Sequence, residues 1–227
     1  LAEHAKNQRP DAIILAGDVI DSLNILDREK AAVKTMFENF TKIAPVYVGF
    51  GNHDISEYRY IGSTRYQIKN DHKFREYLRF LESIDNLTPL HNRSAKIKDK
   101  TIYGLTLPGE YYGIEKPRKC LVEHPDILEK AMKKMPKADL VLIHAPAYIN
   151  NPRQLTISGH MHGGILPCGL TRLPGTRGLI SPEKKLFPEH ARNIKGLHII
   201  LGPVTTFPET LSSLNFLFPV ESAIIEL

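Results

Sequence analysis

The sequence predicts an α/β fold in which strands and helices alternate and much of the sheet is parallel. Short continuous apolar runs, of a length typical of buried strands, alternate with segments whose apolar residues recur at helical spacing. Four of the predicted strands end directly in loops that carry Asp, Asn or His side chains. Because functional groups of such sheets gather outside the carboxyl ends of the strands, these four loops are the candidate functional site.

The composition is that of one ordinary globular domain. The chain has 227 residues, of which 42% are hydrophobic and 24% are charged, so we expect a single domain over residues 1–227 with a substantial core. The net charge of +5 is compatible with anionic substrates and does not demand nucleic acid. The two cysteines, Cys120 and Cys168, lie far apart and indicate neither a disulfide framework nor a thiolate zinc site.

The first part of the chain predicts a strand, a polar loop and a helix, followed by a second strand and polar loop. Residues 1–9 read as the end of a helix, and residues 12–16 as a buried strand. Asp27 is predicted to cap a helix that runs to about Phe40, and residues 45–50 form the second buried strand. The predicted buried face of this helix comprises Ala32, Met36, Phe37 and Phe40.

The middle of the chain predicts a third helix and a hairpin. The helix begins near Asp71, and the hairpin joins residues 96–97 to residues 101–107. Residues 108–119 are expected to be irregular. The predicted buried positions of the helix are Phe74, Tyr77, Leu78 and Leu81.

The last part predicts two further buried strands that each end in a histidine-bearing loop. A helix over residues 127–135 leads into a strand over residues 139–143, which ends at His144. A strand over residues 155–158 ends in the segment 159–162. The remaining predictions are a long loop and two closing strands, over residues 163–193, 197–201 and 223–227.

Each polar residue at a strand end has an ordinary explanation when it is taken alone. A loop residue such as Asp18 or Asn52 is usually a turn residue, and a lone histidine such as His144 is usually not a ligand. His160 and His162 point to opposite sides of an extended segment unless they bracket a turn. Together, however, these residues supply the oxygen and imidazole ligands that borderline divalent metals prefer, and the ordered set predicts a metal site.

Four motifs resemble motifs two to five of the calcineurin-like metallophosphoesterases, in order and spacing, over nearly the whole chain. They are Gly-Asp-Val-Ile-Asp at 17–21, Gly-Asn-His-Asp at 51–54, His-Ala-Pro at 144–146 and Gly-His-Met-His-Gly at 159–163. Residues 178–187 further resemble a bacterial branch of that superfamily, many of whose members carry an N-terminal membrane anchor. The resemblance implies an α/β/β/α sandwich of two mixed sheets flanked by helices.

The resemblance also implies two divalent metal ions, with Mn, Fe, Zn, Co and Ni all acceptable to the ligand set. Asp18 would bridge the two ions. Asn52, His144 and His160 would complete the protein ligands of one ion, and His162 would belong to the other. A bridging hydroxide would then attack phosphorus in line, without a protein nucleophile.

Two neighbours of Asn52 have expected roles in the reaction. By the same resemblance, His53 donates a hydrogen bond or a proton to the charge that develops on the phosphate and leaving group. Asp54 either orients His53, as carboxylates orient imidazoles, or caps a helix. Asp21 is expected to be structural or to support a ligand, and not to bind metal itself.

One motif of the resemblance is missing. An Asp-x-His that supplies two further ligands to the ion of His162 should lie on a strand ahead of residues 1–9, together with any membrane anchor. We expect this segment to precede Leu1; the alternative is a variant that binds one metal ion or none.

The predicted function is hydrolysis of phosphomonoester or phosphodiester bonds in a phosphorylated small-molecule or lipid-linked substrate. The alternatives are a catalytically impaired scaffold for protein interaction and a nuclease, although nucleic acid is not the expected partner. Location in the cytoplasm or at a membrane, and the oligomeric state, stay open. Four tyrosines lie in predicted loops where either a substrate-shaping cap or an ordinary loop would sit: Tyr58, Tyr60, Tyr111 and Tyr112.

Overall fold

The computed structural model of the chain describes residues 2–114, 125–145, 155–159 and 198–200. The helices of this part are α1 (Ala2–Gln8), α2 (Leu26–Thr41), α3 (Asp71–Glu82) and α4 (Pro125–Lys133), with short 3-10 helices at Leu23–Ile25 and Gly109–Tyr112. The strands are β1 (Ile13–Leu15), β2 (Val46–Val48), β3 (Ser56–Ile61), β4 (Thr64–Lys69), β5 (Leu87–Pro89), β6 (Arg93–Ile97), β7 (Lys100–Leu105), β8 (Leu140–Ile143), β9 (Leu155–Ser158) and β10 (His198–Ile200).

Two sheets form the centre of the fold. The first has the strand order β1-β2-β5 and is parallel throughout its described strands. The second has the order β10-β9-β8-β7-β6 and is mixed, because β6 and β7 form an antiparallel hairpin while the other neighbours are parallel. A separate two-stranded hairpin is formed by β3 and β4.

The alternation of side chains along β2 divides the core into layers. Val46 and Val48 are fully buried in the cluster that contains the apolar faces of α2 and α3, whereas Tyr47 belongs to the cluster between the two sheets. On the opposite sheet, Leu140 and Leu142 of β8 face the first sheet in that same cluster. The layer order is therefore α/β/β/α, which confirms the predicted sandwich.

Helix α2 differs from its prediction at its start and on its buried face. It begins at Leu26, and its N-cap residue Ile25 makes no side-chain capping bond. Asp27 is not the cap; it lies in the first turn, where a negative charge complements the helix dipole. Ala32 is exposed and Val33 is buried in its place.

Helix α3 follows its prediction closely. It begins at Asp71 and buries Phe74, Tyr77 and Leu81 as predicted. Phe80 is an additional buried residue, whereas Leu78 is only partly buried. Its N-cap is Asn70, whose side chain accepts a hydrogen bond from a backbone N–H in the first turn. The predicted β6–β7 hairpin is also present.

Two elements are absent from the sequence prediction. The first is the β3–β4 hairpin, which occupies residues that were expected to be a loop, including Tyr58 and Tyr60. The second is β5, which ends in Pro89 and pairs in parallel with β2. Tyr111 and Tyr112 lie in a 3-10 helix and are buried, so they do not form a surface cap.

Some predictions concern residues outside the part that the structure describes. The long loop over 163–193 and the closing strand over 223–227 are among them, whereas the strand predicted over 197–201 is present as β10. Within the described residues, no helix has both the length and the apolar character needed to cross a bilayer.

Candidate metal centre

The loop after β1 holds Asp18 in a left-handed backbone conformation. Gly17 has a φ of 90° and Asp18 a φ of 52°, and Asp is one of the few residues with a side chain that tolerate this region. A Cβ on Gly17 would lie 2.7 Å from the backbone nitrogen of Gly51. The Gly-Asp pair thus allows the first site loop to turn tightly against the second.

The loop after β8 places His144 beside the Asp18 carboxylate. The Nδ1 atom of His144 lies 2.7 Å from the Ala16 carbonyl oxygen, which can only accept a hydrogen bond, so Nδ1 carries a proton. The Nε2 atom lies 2.9 Å from Asp18 Oδ2. Nε2 is therefore the nitrogen left for a metal ion, in the orientation that a backbone carbonyl imposes on metal-binding histidines.

Two opposing effects act on the pKa of His144. Burial by itself lowers the pKa, because it disfavours the charged imidazolium. The charge of Asp18 and the hydrogen bonds to Asp18 and to Ala16 raise it, and the net pKa lies above its ordinary value. The contact of Nε2 with Asp18 is thus an ion pair only in protonated His144, and a metal ion bound at Nε2 would take the place of that proton.

Asn52 has a buried amide oxygen that accepts no hydrogen bond from the described residues. The residue is 6% exposed, and its Oδ1 atom has no hydrogen-bond partner among the described residues. Its neighbours on both sides contact Asp18: a Cβ on Gly51 would overlap Asp18 Oδ1, and the His53 N–H donates to that oxygen at 3.0 Å. An unpartnered buried polar atom costs about 1–3 kcal/mol, and a cation coordinated by Oδ1 would offset that cost.

Asp54 holds the first site loop and does not orient His53. Its Oδ2 accepts hydrogen bonds from the N–H groups of Asp18 at 2.6 Å and of Gly51 at 2.8 Å. Its Oδ1 accepts from Val19 at 3.1 Å and Ile20 at 3.4 Å. The expected contact with the His53 ring is therefore wrong, and so is the alternative of a helix N-cap, because strand β3 follows the loop.

The Asp54 carboxyl is fully buried. Burial, and next the nearby negative charge of Asp18, raise the pKa of Asp54 to about 7. The hydrogen bonds from the backbone N–H groups act in the opposite direction, since they favour the carboxylate. Through its bonds to Asp18 and Gly51, Asp54 thus connects the loop after β1 to the loop after β2.

His53 is oriented by Asp21 and Tyr58. Its Nδ1 atom lies 2.6 Å from the Asp21 carbonyl oxygen, 3.5 Å from the Asp21 carboxylate and 3.0 Å from the Tyr58 hydroxyl. The carbonyl contact requires a proton on Nδ1. The Nε2 atom points the other way and lies 4.0 Å from Asp18 Oδ2.

The charges around His53 keep it protonated at neutral pH. Burial tends to lower its pKa, but the Asp21 carboxylate and the charge of Asp18 raise the pKa of His53 to about 9. In return, the hydrogen bond to His53 lowers the pKa of Asp21. With Nδ1 hydrogen-bonded to Asp21, the Nε2–H is the proton that His53 can offer to a reacting group.

Asp21 and Tyr58 therefore both contact His53, a role that the sequence did not predict for either residue. Asp21 was expected only to support the site, and its place three residues after Asp18 was the available signal. Tyr58 was expected in a loop, and no local pattern indicated that its hydroxyl would contact His53.

The structure brings together part of the predicted ligand set. Within the described ranges, no group of three or more His, Cys, Asp or Glu side chains is arranged to hold a metal ion. The described candidates are the carboxylate of Asp18, the amide oxygen of Asn52 and the imidazole of His144. His160 and His162 lie outside the described residues. Gly159, which precedes them, donates its N–H to the His144 carbonyl at 2.9 Å.

Comparison with known proteins decides the family. The family model for calcineurin-like phosphoesterases matches residues 1–164. The chain belongs to the calcineurin-like phosphoesterases. Members of this family are metal-dependent phosphoesterases, which generally use divalent metal ions. The matched span contains every metal ligand predicted for the chain, from Asp18 to His162. No curated protein and no solved structure gives a significant match.

Membership confirms the predicted superfamily and fold. The bacterial branch, the membrane anchor and the missing first motif stay predictions, because the match to the family model concerns the superfamily as a whole. The individual ligand roles stay predictions as well.

Proposed function

We propose that this chain hydrolyses phosphomonoester or phosphodiester bonds at a centre of two divalent metal ions. The observation that carries the proposal is the buried Oδ1 of Asn52, which lacks a hydrogen-bond partner in the described part of the chain. It belongs to the same loop that packs against Asp18 and His144. A buried amide oxygen in a loop that packs against a carboxylate and an imidazole matches the ligand preferences of borderline divalent ions.

The proposed ligands are divided between two metal ions. One ion would be held by an amide oxygen and two imidazoles and the other by a further imidazole, and a carboxylate would be shared between them. When bound, such ions neutralise charge on phosphoryl oxygens and lower the pKa of coordinated water, so no protein nucleophile is needed. The proposed set is Asp18, Asn52, His144, His160 and His162.

His53 supplies the proton that the leaving group needs. With Nδ1 hydrogen-bonded to Asp21 and the pKa raised to about 9, its Nε2–H donates to the leaving-group oxygen as the ester bond breaks. Asp21 and Tyr58 hold the ring in place during that transfer. Asp54 accepts hydrogen bonds from the N–H groups of Asp18 and Val19 and so holds the Asp18 loop in position relative to His53.

The proposed substrate is a phosphorylated small molecule or a lipid-linked phosphate. Nothing in the net charge of +5 requires a nucleic acid. The choice of substrate depends on groups around the metal centre, because the centre itself defines only how phosphorus is attacked.

The test combines metal analysis with kinetics on the full-length protein. We expect elemental analysis to find bound transition metal, and a panel of aryl phosphates and phosphodiesters to be hydrolysed in the presence of manganese or zinc. His53→Ala should lower kcat by about 10²- to 10⁴-fold, the usual range for loss of a general acid, while bound metal is retained. Asn52→Ala should lower the bound metal itself.

The control is His72→Ala, because His72 is exposed on α3 and pairs with Glu76 at the surface. This variant should retain both metal and activity. Near-zero bound metal in the full-length protein would instead favour a scaffold that keeps the fold for protein interaction. Steeply salt-dependent binding to DNA would favour a nuclease. Full activity of His53→Ala would remove His53 from the mechanism.

A further inference from the structure

One face of the β3–β4 hairpin lies against His53. In the register of this hairpin, Tyr58 pairs with Gln67 and Tyr60 pairs with Arg65. Directly paired residues and alternate residues of one strand share a face. Tyr58 and Arg65 are therefore diagonal neighbours on the same side of the hairpin.

This face contacts the candidate acid through Tyr58. The Tyr58 hydroxyl lies 3.0 Å from His53 Nδ1, and the two rings meet edge to face with centroids 5.8 Å apart. The guanidinium of Arg65 lies over the same Tyr58 ring, with its central carbon 4.1 Å from the centroid. Arg65 is thus separated from His53 by one aromatic ring.

Arg65 is a cation whose position is set by an aromatic face. Among the described residues, no carboxylate lies within ion-pair distance of Arg65, in contrast to Arg59, which pairs with Glu57 at 3.6 Å. Arg65 is only partly exposed, and its charge reaches the site, because it contributes to the lowered pKa of Asp21. Its planar donors are therefore held against the Tyr58 ring and available to an anion.

The base of the hairpin is anchored to both site loops. The Tyr58 N–H donates to the side chains of Ser22 and Asn24, which lie at the start of the 3-10 helix after the Asp18 loop. The Ser56 hydroxyl donates to the Asn52 carbonyl at 2.6 Å. Because of these bonds, Tyr58 and the guanidinium stacked on it keep a fixed position relative to His53.

We propose that Arg65, stacked on Tyr58, binds a second anionic group carried by the leaving group of the substrate. This inference deepens the proposed function and rests on it. His53 donates its proton from Nε2, which faces Asp18, whereas Tyr58 and Arg65 lie on the Nδ1 side of the same ring. A leaving group that accepts this proton and extends outward past the His53 ring brings a second anionic group to Arg65. A carboxylate or phosphate on that group would form charge-assisted hydrogen bonds with a guanidinium that is already in place.

The test compares two substrates that differ by one charge. The probes are phenyl phosphate and carboxyphenyl phosphate, assayed with the full-length, metal-loaded protein. We expect kcat/KM of the wild type to favour the carboxylated ester. Arg65→Gln should lower kcat/KM for the carboxylated ester about 10- to 100-fold more than for phenyl phosphate, the range that corresponds to a hydrogen bond with a charged group.

The matched control is Arg59→Gln. Arg59 lies on the opposite face of the same hairpin and is 62% exposed in its ion pair with Glu57, so its removal should leave the ratio between the two substrates at the wild-type value. Arg65→Lys, which keeps the charge without the planar fork, should lose part of the preference. An equal loss with both substrates in Arg65→Gln would overturn the proposal and assign Arg65 a structural role beneath Tyr58.

A binding measurement separates this proposal from the proposed function. If the wild type hydrolyses neither ester, the proposed function fails, but the anion site is still tested by titrating phenylphosphonate and carboxyphenylphosphonate into the metal-loaded protein. Tighter binding of the carboxylated phosphonate, lost in Arg65→Gln and retained in Arg59→Gln, would support the site. Equal binding of the two phosphonates by the wild type would overturn it.

Discussion

Asp54 is a single buried carboxylate on which the geometry of the metal centre depends. Its oxygens accept hydrogen bonds from the N–H groups of Asp18, Gly51, Val19 and Ile20, two to each oxygen. In Asp54→Asn, the amide NH₂ must face two of these donors whichever way the side chain is turned. We predict that the free energy of unfolding of the metal-free protein falls by about 2–4 kcal/mol, measured by urea denaturation.

The control for this prediction is Asp85→Asn. Asp85 is exposed in the loop after α3, and its substitution should change the unfolding free energy by less than about 0.5 kcal/mol. The metal affinity of Asp54→Asn should also fall, because the Asp18 loop loses its support. Equal stability of the two variants would show that the four backbone bonds contribute little.

His91 is expected to make stability depend on pH. The residue is exposed at the surface, and its ring packs edge-on against Phe50 and Phe74, with centroids 6.2 and 5.0 Å away. Burial, and then the charges of Arg93 and Lys69, lower its pKa from the ordinary value of 6.5. As the pH falls, His91 therefore binds a proton in the unfolded chain before it does so in the folded protein. The free energy of unfolding is at its full value above the ordinary pKa of 6.5 and decreases as the pH falls below it.

The measurement is the urea midpoint of the metal-free protein at pH 7.5 and pH 5.5, for the wild type and His91→Phe. The phenylalanine keeps an aromatic ring between Phe50 and Phe74 but cannot titrate. We expect the wild type to lose more stability on acidification than the variant does. Since other titrating groups are common to both proteins, a parallel decline would rule out a contribution from His91.

At the scale of secondary-structure elements, Asn70 joins helix α3 to the β3–β4 hairpin. Its Oδ1 accepts from the Lys73 N–H at 3.1 Å, and its amide nitrogen donates to Glu57 at 2.9 Å. Asn70→Ala removes both bonds and should lower the unfolding free energy by about 1 kcal/mol or more. The shift in thermal midpoint measures this loss.

Asn70→Ser serves to separate the two bonds. Serine is also a good N-cap, so this variant keeps the cap and loses only the bond to Glu57. We expect it to be destabilised less than Asn70→Ala. If serine and alanine had the same effect, the cap would not be the source of the stabilisation.

The elements that the sequence predicted well are those with a strong periodic pattern. Helix α3 carries apolar residues at helical spacing, and its start and buried face agree with the prediction. The hairpin β3–β4 was missed although its sequence carries a hairpin pattern: apolar and polar residues alternate over 58–60 and over 65–69, on either side of a two-residue turn at Gly62 and Ser63. Its stability comes from bonds to distant side chains such as Ser22, which a local pattern cannot reveal.

At the scale of the whole molecule, the strand order explains why the candidate site was predictable in outline. Asp18 and Asn52 follow neighbouring parallel strands of one sheet, and His144 follows a strand of the facing sheet, so their loops meet at one end of the sandwich. Which side chain contacts which was not predictable. Asp54 lies beside His53 in sequence, yet its carboxylate is directed at the first loop, because the choice depends on side-chain direction.

The close approach of the two sheets can be tested at Gly49 and Leu142. A Cβ on Gly49, just after β2, would lie 2.9 Å from Leu142 Cγ on β8, and Leu142 is almost fully buried. Gly49→Ala should cost about 1–3 kcal/mol of unfolding free energy by overpacking, and Leu142→Ala about 2–5 kcal/mol by leaving a cavity.

The double variant tests whether side chains set the distance between the two sheets. If the sheets are held at a fixed distance by side chains that fill the space between them, the new methyl group at Gly49 occupies part of the cavity left at Leu142. The double variant should then be at least about 1 kcal/mol more stable than the sum of the single effects predicts. Urea denaturation of all four proteins measures this coupling. Strict additivity would mean that the sheets separate to accommodate each change, and that the contact between Gly49 and Leu142 does not set their spacing.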